Sequence, residues 1–194
     1  MKKPLQKRTL ATRAKLIDAA EKIISSKGFG ALRVEEVVKT AAVAKGTFFA
    51  HFHDKDALMD LIISGEIDAF LDGFEQKASP EDLDAFILHL LPLLQFMTRE
   101  RYVFDLILRH SGAAAKEEIG PIARTFERQV MVLAQWISDG PFRKDVSTVI
   151  LAEGVQAFAV QCMALHFCAI NNEMPMDTRL KLYLEPWLLC PKAP

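Results

Sequence analysis

Residues 34–58 read VEEVVKTAAVAKGTFFAHFHDKDAL. Two short helical patterns, about 34–41 and 44–50, flank a tight turn at Ala41-Ala42-Val43, and a third begins at Asp54. One helix that braces, a short turn, and a second helix free to lie in the DNA major groove make a helix-turn-helix. Lys45, Gly46 and Thr47 on the second pattern are small or polar, so they permit close approach to a phosphate backbone.

Upstream, Leu16, Ala19, Ala20, Ile23 and Ile24 recur at spacings of three and four, which predicts a helix over 12–27 with one apolar stripe. Gly28 suits the left-handed position that ends it. Downstream, Asp54 is expected to cap a helix running to about Gln76. Ser79-Pro80-Glu81-Asp82 reads as the next helix start, with a capping side chain, proline at the first position and acids near the positive dipole end. That helix runs to about Thr98 and contains Pro92, which should kink it. Further helices are expected at 100–110, 121–138, 146–170 and 176–189, with breaks at Gly140-Pro141 and 171–175. No run alternates with period two for long enough to make a strand, so the fold class is all-α.

The formal net charge is −1, but it is unevenly spread. Residues 1–60 hold 12 Lys/Arg against 7 Asp/Glu, whereas residues 61–194 hold 12 against 18. A basic first third suggests a polyanion partner; a solvated charged tail is the plainer reading of the same charges. Cys162, Cys168 and Cys190 form neither a CxxC pair nor an even set, which points away from a disulfide framework or zinc site. The N-terminus lacks a signal-peptide apolar core, and the apolar region 149–170 is interrupted by Glu153, Gln156, Gln161 and His166. That region reads as a buried helix rather than a membrane span, and a cytoplasmic location is expected.

The segment from about 10 to 60 resembles the tetracycline-repressor (TetR) family of bacterial transcription regulators. The resemblance rests on Leu16, Ala19-Ala20, Phe29 and Val37, and on the ordered string A-x-V-x-K-G-T-x-x-x-H-F-x-x-K-x-x-L from Ala41 to Leu58. It implies an N-terminal three-helix head (1–55) joined to a helical ligand-sensing and dimerisation domain (56–194). The implied function is a ligand-responsive regulator, a repressor, that binds a palindromic operator as a homodimer. A small molecule lodging among the later helices would change the separation of the two heads. The alternative is a helical small-molecule-binding protein whose head no longer reads DNA.

Within the head, the candidate DNA-binding residues are Arg33, Val43, Ala44, Lys45, Gly46, Thr47, Phe48, Phe49, His51 and Lys55. Gly46 lets the helix sit close to DNA, Thr47 can donate to a phosphate oxygen, and Lys45 can reach guanine or phosphate. Lys55 offers an ammonium, and backbone amides near Asp54 favour an anion. Ala41, Phe52 and Leu58 are expected to hold the head's core. The chain departs from the family where glycine is usual (Ala42), where serine or threonine is usual (Ala44), and where tyrosine is usual (Phe49). Threonine commonly stands where this chain has Arg33. Phe49 cannot donate a hydroxyl to phosphate, and Arg33 is a cation that could offset that loss. His51 and His53, spaced by two, do not share a helix face, so no metal site is expected.

DNA readers of this kind engage two half-sites, so a two-fold dimer follows. Its candidate surfaces are 146–170, apolar nearly all round and therefore needing cover on all sides, and 176–189. In the TetR family the last two helices pair with their symmetry mates as a four-helix bundle. The candidate ligand-binding residues are His89, Phe96, Phe104, His110, Trp136, Gln156 and Met163, apolar groups with a few polar ones among them. For each of these, an ordinary packed residue is the competing reading. No GxSxG, HExxH, P-loop or GxGxxG pattern is present, so neither catalytic residues nor a cofactor is expected.

Overall fold

The computed structural model describes residues 3–111, 119–170 and 173–190, with side chains from residue 8 onward. Lys2 and the side chains of Lys3 and Lys7, which belong to the basic first third, and residues 171–172 of the expected break at 171–175, lie outside the described residues. Among the described residues there are nine α-helices and no strand. They are α1 (Lys3–Lys27), α2 (Val34–Thr40), α3 (Lys45–Phe49), α4 (Lys55–Glu75), α5 (Leu83–Met97), α6 (Arg101–His110), α7 (Pro121–Asp139), α8 (Thr148–His166) and α9 (Met176–Leu188). The chain divides into two compact units, Met1–Gly65 and Glu66–Pro194, and α4 runs through the division.

In the first unit, Leu16, Ala19, Ala20, Ile23 and Ile24 are buried, as their spacing requires. Helix α1 begins at Lys3 rather than near residue 12, because Pro4 falls in the first turn, where a missing amide costs nothing. Gly28 ends it at φ 85°, its amide donating to the Ile24 carbonyl at 2.8 Å. Phe29, Leu32, Val37, Phe48, Phe52, Leu58 and Met59 complete the core. Each such burial contributes about 1.5–3 kcal/mol. The guanidinium of Arg13 lies over the Phe52 ring, 5.0 Å from its centroid.

In the second unit, α8 packs on α7 and α9, and α5 packs on α9. Phe74, Phe86, His89, Trp136 and Phe142 make a ring cluster with centroids 5.0–5.7 Å apart. Arg128 on α7 binds three carboxylates on α4: Asp68 at 2.9 Å, Asp72 at 2.6 Å and Glu75 at 2.8 Å. Lys144 turns back on the end of α7 and donates to the carbonyls of Ile137, Ser138 and Gly140.

Three sequence expectations are corrected here. Helix α5 starts at Leu83, not at Pro80: the cap is Asp82, whose carboxylate accepts the Ala85 amide at 2.7 Å. Ser79 instead donates to Asp139 at 3.3 Å, because Asp82 is the capping residue that adjoins the apolar period. Helix α8 covers Thr148–His166 rather than 146–170, since Phe167 leaves the helix to stack on Phe104 at 5.5 Å. Within this one chain, α8 is covered along one flank. Leu151, Ala152, Val155, Ala159, Cys162 and Met163 face the core, while Val149 and Ile150 are 40% and 49% exposed. By length and composition α8 is apolar enough to cross a membrane, and only 33% of that stretch is buried.

Candidate nucleic-acid interface

The turn between α2 and α3 is closed by the Val43 amide, which donates to the Val38 carbonyl at 3.0 Å. To make it, Ala42 adopts φ 53°, a left-handed conformation that costs a residue with a Cβ about 1–2 kcal/mol. This is the position where the family usually has glycine, so the sequence departs where the backbone most favours the usual residue.

Helix α3 then presents one face outward and one inward. Ala44, Lys45, Gly46, Phe49 and Ala50 are exposed, while Val43, Thr47 and His51 are half-buried. A Cβ built on Gly46 would meet nothing within 4 Å, so the head's own packing does not demand glycine there. What glycine supplies is a bare outward backbone. Phe48 is a correction: it is fully buried, in contact with Phe52 at 5.6 Å and Phe49 at 5.3 Å, and is a core anchor rather than a groove contact. Packing explains it: the Phe48 ring fills the core against Phe52 and leaves Phe49 on the outward side.

Lys45, the first residue of α3, pairs with Glu35 on α2, Nζ to Oε1 at 2.6 Å. The Lys45 hydrogen bond holds the Glu35 carboxyl below its ordinary range. Arg33 provides no side-chain cap for α2; one of its guanidinium nitrogens donates to the carbonyls of Gly30 and Leu32, each at 3.0 Å. Phe49 is 50% exposed, its ring nearly perpendicular to that of Phe48.

At the start of α4, Asp54 accepts the Ala57 amide at 2.8 Å and contacts His53 Nδ1 at 3.1 Å. Burial raises the Asp54 carboxyl, but those hydrogen bonds outweigh it and leave the group below its usual range. The anion expected among the amides near Asp54 is therefore, at Ala57, Asp54's own carboxylate. Lys55 is half-buried and engaged within the molecule.

The candidate ligand-binding residues each have neighbours of their own among the described residues. His89 and Trp136 meet, with ring centroids 5.7 Å apart. Phe96 packs on Phe70 and Phe104 on Phe167, Met163 is buried, and His110 is half-buried. Gln156 donates to the Phe126 carbonyl and to Gln129 Oε1, both at 3.0 Å. Gln129 was not among the expected residues, although it is 2% exposed. Its signal was legible, a polar residue on the apolar stripe that Ile122, Phe126, Leu133 and Trp136 draw along α7. His89 Nδ1 is buried with no hydrogen-bond partner, and His89 lines an opening of about 380 Å³ with Lys77, Ser79, Pro80, Glu81 and Ala85.

Residues 16–62 match the family model for bacterial regulatory proteins of the tetR family. The chain is 29% identical over 110 residues to the uncharacterised helix-turn-helix regulator YvdT of Bacillus subtilis, covering 57% of each chain. It thus spans a little over half the length of that relative. It is 28% identical over 148 residues to an uncharacterised helix-turn-helix regulator of Haemophilus influenzae, covering 74% of this chain and 72% of the other. Among solved structures it resembles Thermus thermophilus FadR, a TetR-family repressor captured with lauroyl-CoA. The TM-score there is 0.66 at 18% identity, over 94% of this chain and 97% of that one.

Proposed function

We propose that the chain, whose residues 16–62 match the family model for bacterial regulatory proteins of the tetR family, is a ligand-responsive transcriptional repressor that binds a palindromic operator as a homodimer. The observation that carries this reading is the two-sidedness of α3. Phe48 is locked into the core, while Lys45, Gly46 and Phe49 face outward on a helix too short to serve as a core element. A surface of that kind suits a groove with close backbone approach. We assign DNA reading to residues 1–55, and ligand sensing and dimerisation to 56–194, in the cytoplasm where the DNA is.

The dimer surface we propose is the uncovered side of α8 together with α9. Val149 and Ile150 on α8 and Leu182 on α9, the last 55% exposed, are large apolar groups that a second copy would shield. The effector we propose is a small, largely apolar molecule bound in the body, oriented by the Gln129–Gln156 pair. It acts by population shift: it binds better to the conformer whose two heads mismatch the half-site spacing, and operator affinity falls by that differential affinity. Couplings of this kind are worth about 1–3 kcal/mol.

Two features favour a second reading, a helical small-molecule-binding protein whose head has lost DNA. Phe49 lacks the hydroxyl donor, and Lys45 is already paired with Glu35. Titrating the purified protein against a random-sequence duplex over a salt series decides between them. The regulator reading expects affinity that falls steeply as salt rises; binding absent at every salt concentration, or indifferent to salt, would overturn it. Sequencing the DNA that the protein retains from a genomic pool then gives the operator.

A further inference from the structure

The Lys45–Glu35 pair crosses from the recognition helix to the bracing helix, and both side chains are more than half exposed. An exposed pair of this kind contributes little to folding, so its presence on the outward face needs another account. Its electrostatic consequence is plain. The residue placed first on α3, the natural one to meet a phosphate or a base edge, carries no net charge as a unit with its partner. Affinity for DNA without regard to sequence comes almost wholly from cations that replace counterions on phosphates. A carboxylate 2.6 Å from the foremost cation of the reading helix subtracts from that affinity.

We propose that Glu35 is a specificity-determining restraint: by neutralising Lys45 it holds down the head's affinity for arbitrary DNA, so that retention depends on contacts to the correct bases. The inference rests on the DNA-reading function proposed above. Glu36 supplies an internal contrast, because it lies one residue along the same helix and pairs with Lys27 of α1, away from α3. Removing either acid changes the net charge by the same amount, but only Glu35 touches the recognition helix.

The test measures affinity of the full chain for a random-sequence duplex over a salt series, for wild type, Glu35→Gln, Glu36→Gln, Lys45→Gln and the Glu35→Gln/Lys45→Gln double variant. Freeing one cation per head should steepen the slope of log affinity against log salt by about 0.9 for each head engaged, and raise affinity about three- to tenfold near 0.1 M salt. Glu35→Gln is expected to show both effects, Glu36→Gln much less, and the double variant no gain over Lys45→Gln alone. Equal slopes for wild type and Glu35→Gln would overturn the proposal while leaving the DNA-reading function intact. So would an equal gain from Glu36→Gln, or a full gain that survives without Lys45. Wild type that fails to bind with a salt-dependent slope would instead overturn the function itself.

Discussion

Trp187 stands in the space that a side chain on Gly154 would need. A Cβ on Gly154 would lie 2.4 Å from the indole of Trp187, whose Nε1 donates to the Leu151 carbonyl at 2.9 Å. Helices α8 and α9 therefore meet through a flat aromatic laid on bare backbone. Gly154→Ala should force them apart and cost about 1–3 kcal/mol, the range for overpacking a filled interface. A lower urea midpoint with an unchanged slope is the expected result; an unchanged midpoint would show that the indole can step aside.

Ala42 offers the opposite sign. Its φ of 53° is strained for alanine, and glycine would relieve about 1–2 kcal/mol. Glycine also gives back about 0.4–1 kcal/mol through the freer unfolded chain. Ala42→Gly should therefore stabilise the head by roughly 0.5–1 kcal/mol. Hydrogen exchange of the α2 and α3 amides would read this locally, as slower exchange in the glycine variant.

Asp54 gives a pH dependence. Its carboxyl sits below the ordinary value of 3.8 in the folded chain, so the cap's contribution is complete above that value. It is lost as pH falls from there through the depressed folded value. Asp54→Ala should cost about 0.5–2 kcal/mol at neutral pH and progressively less below 3.8, where wild type loses the same charge. Denaturant midpoints of the two proteins that stayed equally far apart at pH 3 would refute this assignment.

Phe49→Tyr restores a phenolic donor on a ring that is half exposed. A neutral hydrogen bond is worth about 0.5–1.5 kcal/mol, so affinity for duplex DNA should rise about two- to tenfold. The salt slope should not change, because no charge is added. A steeper slope would mean that the head had docked differently.

Arg128→Met leaves three carboxylates on α4 without their shared cation. Because the acids are about half exposed, the loss should be modest, about 1 kcal/mol at low salt. It should shrink as ionic strength rises toward about 1 M, where screening acts within a few ångströms. Urea unfolding at low and high salt checks the trend.

What the sequence disclosed depended on whether local rules were sufficient. The helix-turn-helix, the left-handed Gly28 and the Asp54 cap all follow from neighbours within a few residues, and the structure has each. Phe48 shows the limit inside a motif. Five residues of helix give too short a period to separate its inward from its outward aromatic, and Phe48 and Phe49 exchange roles depending on a rotation that only packing sets. Ser79 was expected to cap α5, but Asp82, read only as an acid near the helix start, takes that place, and Ser79 turns to Asp139, sixty residues away. The surroundings of the candidate ligand-binding residues were the least legible, because burial of a polar group depends on partners from other helices. Gln156 is explained by Gln129, and neither residue's own surroundings in sequence name the other.

The three acids that hold Arg128 stand at positions 68, 72 and 75, within an arc of about 60° around the axis of α4. A grip confined to so narrow a sector lets that part of the helix flex lengthwise but opposes its rolling, since a turn of that size withdraws all three carboxylates together. Charge thus adds to the hold that the buried Ile67, Leu71 and Phe74 of the same helix already provide. The charged share of that stiffness is set by the dissolved ions around the protein and weakens as ionic strength rises, while the packed share does not.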